Sequence, residues 1–277
     1  MTPDLRTTLI REGLAAGGLE GLVPAAAYAE TRPMQTCLPQ ASLYSQPDLA
    51  AEQQTQLLFG ERFDVLGDNG DFVLGQARRD GYVGYVRRTA LTVRGLSPTH
   101  WICVPQTFAL AEPDIKSAAS GPYWLNSLIT VVRTEGRFCW ADGLGWMVSE
   151  HLMPVGIFRT DFVAVAESLS GAGYVWGGRM SSGLDCSGLV QQARLSCGLA
   201  FPRDTDQQIT RGRAVEDRDL QRGDLVFWRG HVGVMVDEAK LIHANAHHMA
   251  VTTEPLAEAV ERIAAGPTGK PIGYRRL

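Results

Sequence analysis

The chain has 277 residues, 45% hydrophobic and 20% charged, with a net charge of −4, the make-up of a globular protein with room for two or three domains. A pI near 5.9 gives no general attraction to nucleic acid or to an anionic membrane surface, and no run approaches the roughly 20 apolar residues of a membrane-spanning helix. Arg11, Glu12 and Glu20 interrupt the apolar stretches before Pro24, which does not suit a secretory leader, so the expected location is the cytoplasm.

In chain order, residues 1–35 read as a lead segment, helical from Pro3 to Leu14 and carrying little chemistry. Residues 36–97 change to short strands. Thr55, Leu57 and Phe59 share one face of a strand, Phe63 and Val65 alternate in the next, and Asp68-Asn69-Gly70 is a hairpin turn before Phe72-Val73-Leu74. Turn signals at this spacing predict a small, strongly bent β-barrel. Residues 98–158 repeat the cadence, with strands around Leu128–Val132, Arg137–Trp140 and Gly145–Val148, and predict a second barrel.

Residues 159–277 differ. A helix is expected over Phe162–Leu169, stopped by Gly171 and Gly173. A second is expected over Ser187–Cys197, with Leu189, Ala193 and Cys197 on one face and Gln191 and Arg194 turned away. Strands follow at Asp224–Trp228, His231–Val236 and Lys240–Ala244. Helices followed by an antiparallel sheet make this third region α+β.

Five cysteines, Cys37, Cys103, Cys139, Cys186 and Cys197, are an odd number with no CxxC pair, which argues against a disulfide framework and a zinc ribbon. Four of them suit buried packing. Cys186 is different, because it falls where a glycine-bearing loop, "YVWGGRMSSGLDCSG", enters the second helix. A thiol at a helix start meets orphan amides and the positive end of the dipole, which favour thiolate and can steady an oxyanion. The bland alternative is an inert buried cysteine. Against it stand His231, opening "HVGVMVD", and His243, in "LIHANA", twelve residues apart on strands that can form a hairpin. A lone strand histidine is usually structural, but two beside a helix-start cysteine supply a base and a group to orient it. The Gly177-Gly178 pair lacks the GK[ST] of a phosphate loop. His243, His247 and His248 lack a carboxylate pair at ligand spacing, so neither metal nor cofactor is expected. Asp224 reads as a turn-capping residue.

The strings YVWGG, DCSG, FPRDTDQQ, RGDLVFW, HVGVMV and LIHA resemble, in order and spacing, the NlpC family of papain-like cell-wall peptidases over residues 160–277. The resemblance implies a papain-like α+β domain in which Cys186 is the nucleophile, His231 the base and His243 its orienter. The two N-terminal barrels resemble bacterial Src-homology-3-type domains. Together they resemble the branch that cuts between γ-D-glutamate and the diamino acid of murein-derived peptides with a free N-terminal L-alanine, in peptide recycling. In that branch the first barrel leans over the cleft. The implied substrate contacts are Tyr174 toward the reacting carbonyl, Asp185 and Ser187 at the substrate backbone, Asp204 and Thr205 at the terminal amine, and Tyr82 lent by the first barrel. Tyr85, on the opposite strand face, is the alternative to Tyr82. The competing readings are an exported endopeptidase acting on intact wall, a non-catalytic wall-binding module, and a thiol amidase or acyltransferase.

Overall fold

In the computed structural model, which describes residues 3–277, the chain divides into two units, one ending at Val155 and the other spanning Gly156–Leu277. The first unit is built on a curled seven-stranded sheet. Its order is Leu91–Thr92, Arg32–Thr36, Arg62–Asn69, Phe72–Ala77, Val83–Arg87, Gln40–Tyr44 and Gln53–Leu58. The Asp-Asn-Gly turn is present, with Asn69 opposite Phe72. Leu43, Leu57, Phe63, Val65, Val73 and Val86 fill the inside of the curl. The outer face is also apolar, because Leu66, Phe72, Leu74, Val83 and Tyr85 form a second buried cluster.

That outer face explains why the lead segment departs from expectation. The expected helix over Pro3–Leu14 is absent. Ile10–Arg11 and Leu14–Ala16 form a hairpin around Glu12 and Gly13, both in left-handed backbone (φ 51° and 81°), and Ala27–Ala29 adds to it in parallel. Leu9 joins the outer cluster, and Leu14, Ala16 and Ala29 pack on it. A sheet apolar on both faces needs a cover on each, and these residues supply one. The strand Arg32–Thr36 belongs to the barrel sheet itself, so the expected boundary at 35/36 falls inside a strand.

The rest of the first unit comprises two smaller sheets. One has His100–Ile102 between Leu128–Ile129 and Leu152–Pro154; the other runs Ala119–Trp124, Gln106–Leu110, Gly145–Val148, Phe138–Ala141, Val131–Glu135. Ile102, Ala109, Ile129, Cys139 and Met147 form their core, and Phe59 packs against it. Cys103 and Cys139 are buried as expected, but Cys37 is exposed and Cys197 only half-buried. Cys37 lies just past the end of Arg32–Thr36, and Cys197 caps a helix, so both leave the packed interior.

The second unit carries a nine-stranded sheet. Its central order is Ala250–Pro255, Lys240–Asn245, His231–Met235, Leu225–Trp228 and Gly273–Arg276, all antiparallel. The helix Cys186–Ser196 packs across the His231 and His243 strands, with Leu189, Val190 and Ala193 fully buried. The helix Phe162–Glu167, capped by the Asp161 carboxylate on Val163 and Ala164 N–H, lies on its other side. Covered from both directions, the Cys186 helix has no solvent face near its centre. Gln191, expected to point outward, is therefore buried, and its side-chain amide donates to the Phe201 carbonyl at 3.2 Å.

Candidate active site

Cys186 is the first residue of its helix, and Asp185 is the N-cap, accepting the Gly188 N–H at 2.7 Å. The preceding loop lies hard against this first turn. A Cβ on Gly188 would sit 2.3 Å from the Gly178 carbonyl oxygen, so glycine is what lets the loop close on the helix. The Cys186 thiol is turned toward the hairpin beside it. Its Sγ lies 3.9 Å from the Gly230 carbonyl oxygen and is also bonded by the Val232 N–H. Those two backbone groups flank His231.

His231 begins its strand directly after a two-residue turn, opposite Trp228. The tilted Trp228 ring packs 5.5 Å from the imidazole. The pairing of Val234 with Ile242 and of Met235 with Leu241 sets Gly233 opposite His243, on the face that His231 also uses. A side chain at Gly233 would begin 3.5 Å from the His243 Cβ and collide with Leu241. Left bare, the position lets the two imidazoles meet, with His231 Nε2 2.8 Å from His243 Nδ1. His243 is wholly buried, and its Nε2 lies 2.6 Å from Glu254 Oε1 on the next strand. Arg262 pairs with the same carboxylate oxygen. With both ring nitrogens engaged, His243 has no lone pair free for a metal.

Burial governs the protonation of this site. It pushes the Cys186 thiol up to about 12, with the Asp185 charge adding to the rise and the Val232 N–H opposing it. Burial, then the neighbouring His243, pushes His231 down to about 3. Burial thus works against the thiolate expected from the helix start and favours a neutral thiol beside a neutral imidazole. His243 is held down to about 3 by burial and the Arg262 cation.

A depressed histidine leaves stability intact above the unfolded value of 6.5. The loss grows as pH falls through the window down to about 3, where the unfolded chain takes up a proton that the folded one refuses. Each such imidazole adds about 1.4 kcal/mol of destabilisation per pH unit. Urea unfolding of the wild type should therefore weaken more steeply below pH 6.5 than that of His243→Gln, by about one proton's worth of slope. Parallel slopes would refute a neutral His243.

The other expected residues divide into groups. Tyr174 is half-buried, and burial together with the neighbouring Cys186 and Asp185 raises its hydroxyl pKa, keeping it a donor near the thiol. Asp185 and Ser187 are buried and bound up in the fold: Arg203, 1% exposed, grips both Asp185 oxygens (2.9 and 2.6 Å) and the Ser187 hydroxyl (2.9 Å). Asp204 and Thr205 follow that arginine at the start of the short helix Thr205–Gln208 and are half-buried. Tyr82 belongs to the first unit, where it is 3% exposed within the inner cluster of the barrel, while Tyr85 lies in the outer cluster. Asp224 is buried, accepts the Gln221 N–H and is gripped by Arg276 at 2.7 and 2.6 Å. Sequence reasoning missed Arg203, Glu254 and Arg262. Glu254 had a signal available, since alternation along "AVTTEP" puts residues 250, 252 and 254 on one face.

Residues 171–262 match the NlpC/P60 family and residues 43–91 match the bacterial dipeptidyl-peptidase Sh3 domain. The chain is 27% identical to dipeptidyl-peptidase 6 of Lysinibacillus sphaericus, over 79% of this chain and 89% of that one. It is 25% identical to a γ-D-glutamyl-L-lysine dipeptidyl-peptidase of Bacillus subtilis, over 75% of this chain and 77% of that one. Its fold is shared with an NlpC/P60 family protein of Bacillus cereus, at a TM-score of 0.74 and 19% identity, covering 88% of this chain and 99% of that one. The helix-start cysteine set against a histidine hairpin thus lies in an NlpC/P60 domain of the cysteine-peptidase type, preceded along the chain by a Sh3-type domain.

Proposed function

We propose that this peptidase hydrolyses the bond between γ-D-glutamate and the diamino acid in murein-derived peptides with a free N-terminal L-alanine, releasing L-Ala-γ-D-Glu. The observation that carries the chemistry is the thiol of Cys186 seated against the Gly230 carbonyl and the Val232 N–H, on either side of a His231 already bonded to His243 at 2.8 Å. His231 takes the thiol proton as Sγ attacks the γ-carbonyl carbon of D-glutamate. The oxyanion that forms is met by helix-start N–H groups and by the Tyr174 hydroxyl. His231 then returns the proton to the amine of the departing diamino acid, leaving a thioester, and activates the water that hydrolyses it. No step needs a metal or cofactor. The names of the relatives, dipeptidyl-peptidase 6 and γ-D-glutamyl-L-lysine dipeptidyl-peptidase, support removal of a dipeptide from a free amino end.

Recognition of that end falls to Asp204 and Thr205. Asp204 is tied to the nucleophile's surroundings through the adjacent Arg203 and its grip on Asp185 and Ser187. A buried substrate ammonium left without its carboxylate costs on the order of 3–5 kcal/mol, two to four decades in kcat/KM. The test compares L-Ala-γ-D-Glu-L-Lys, its N-acetylated twin and intact sacculus, with products identified by mass. Acetylation, or Asp204→Ala with the free peptide, should lower kcat/KM at least about a hundredfold. Equal cleavage of all three substrates would overturn the free-amine reading and leave a wall endopeptidase.

A further inference from the structure

Hydrogen-bond chemistry along the histidine pair leads to a residue outside the Cys–His–His set. A carboxylate only accepts. With Glu254 Oε1 2.6 Å from His243 Nε2, the proton of that bond belongs to the imidazole. A neutral His243 then has a bare Nδ1, which at 2.8 Å must receive its proton from His231 Nε2. A neutral His231 protonated at Nε2 has a bare Nδ1, the nitrogen not engaged by His243. One acidic residue thereby orders both imidazoles. Without an acceptor at that end the chain of donors can reverse, with His243 Nδ1–H donating to His231 Nε2 and His231 Nδ1 carrying the proton. In that arrangement His231 cannot accept anything from Cys186.

We propose that Glu254 is a positioning residue, acting two rings away from the thiol to hold His231 in the tautomer that can serve as a base. Arg262 pins Glu254 from the helix Leu256–Ala264 that follows it directly. The side chain is only 12% exposed, so the acceptor stays aimed at His243. This inference rests on the reading of Cys186 and His231 as nucleophile and base, and it adds a role that neither motif carries. The wrong tautomer in an otherwise intact catalytic site has cost about four decades in a serine-protease triad. Here His243 stands between, and a mixture of tautomers is the expected result, so the loss is smaller.

The experiment has two arms. In steady-state assays with the free-amine tripeptide, Glu254→Leu should lower kcat about a hundredfold with KM within about threefold, since the residue touches no substrate. Glu254→Gln, which keeps an acceptor oxygen, should recover at least about tenfold of that loss. The second arm reads protons directly, by nitrogen-15 NMR of the imidazoles in the Cys186→Ala protein, where no turnover is needed. With Glu254 present, both histidines should carry their proton on Nε2; with Glu254→Leu, His231 should show a proton shared between Nδ1 and Nε2. A proton on His231 Nδ1 with Glu254 intact would overturn the proposal, even if Glu254→Leu failed to fold. So would a Glu254→Leu protein with unchanged tautomers and kcat. Neither outcome touches the nucleophile assignment, which Cys186→Ala tests separately.

Discussion

Cys186→Ala should abolish hydrolysis of the free-amine tripeptide, by at least about four decades in kcat, while leaving the fold intact. The thiol is the one group at the helix start able to form the thioester, and its loss removes a step rather than slowing one. His231→Ala should fall to the same floor. A neutral thiol makes attack depend on a base that takes the proton as the bond forms, so each residue is worthless without the other. The double variant should then lose no more than either single one, as expected of residues that act as a unit. Cys197→Ala is the control. Cys197 caps the far end of the same helix, and its removal should leave turnover nearly unchanged. Appreciable release of diamino acid by Cys186→Ala, seen by mass spectrometry, would end the cysteine mechanism; loss of activity to metal chelators in the wild type would do the same.

The second large effect is on stability. Arg203→Met should destabilise the peptidase unit by about 3–5 kcal/mol. Asp185 is asked to do three things at once: cap the helix through the Gly188 N–H at 2.7 Å, hold the loop through the Gly177 N–H at 2.9 Å, and answer a guanidinium that is 1% exposed. Replacing the arginine by an apolar chain strands a buried carboxylate without its cation. The companion variant Asp185→Asn strands the cation instead and should be similarly costly. Joining the two should cost clearly less than their sum, because neither then leaves a lone buried charge. Calorimetry of the three variants decides the matter. A loss below about 1 kcal/mol for Arg203→Met would mean that water reaches the pair and screens it.

Much of the site was legible because it follows from short-range rules. A cysteine entering a helix after a glycine loop, and two histidines twelve residues apart on strands, are patterns that local geometry converts directly into proximity. What sequence did not give was the partner of the partner. Nothing local marks Glu254 as the acceptor for His243; their meeting depends on the pairing of Leu241 with Glu254 across two strands, a register that alternation allows but does not choose. Arg203 escaped for a related reason, since arginine is usually a surface residue and its burial follows only from the carboxylate waiting at Asp185. The lead segment failed differently. The local reading of a helix over Pro3–Leu14 gives way to a strip of short strands. What overrode the local pattern was the second apolar face of the barrel sheet. Leu66, Leu74 and Val83 carried that information, in residues far along the chain.

The sheet order of the first unit bears on how the protein can be dissected. The match to the Sh3-type domain begins at residue 43 and ends at residue 91, inviting a recombinant fragment cut to those limits. Such a fragment would lack Arg32–Thr36, which sits between Arg62–Asn69 and Leu91–Thr92, and would lose the first part of Gln40–Tyr44 as well. It would present an unpaired strand edge next to a bared apolar surface, the combination that drives one chain to complete its sheet with another. Here the recognisable module and the self-sufficient one are different lengths of polypeptide, and a soluble preparation has to follow the latter.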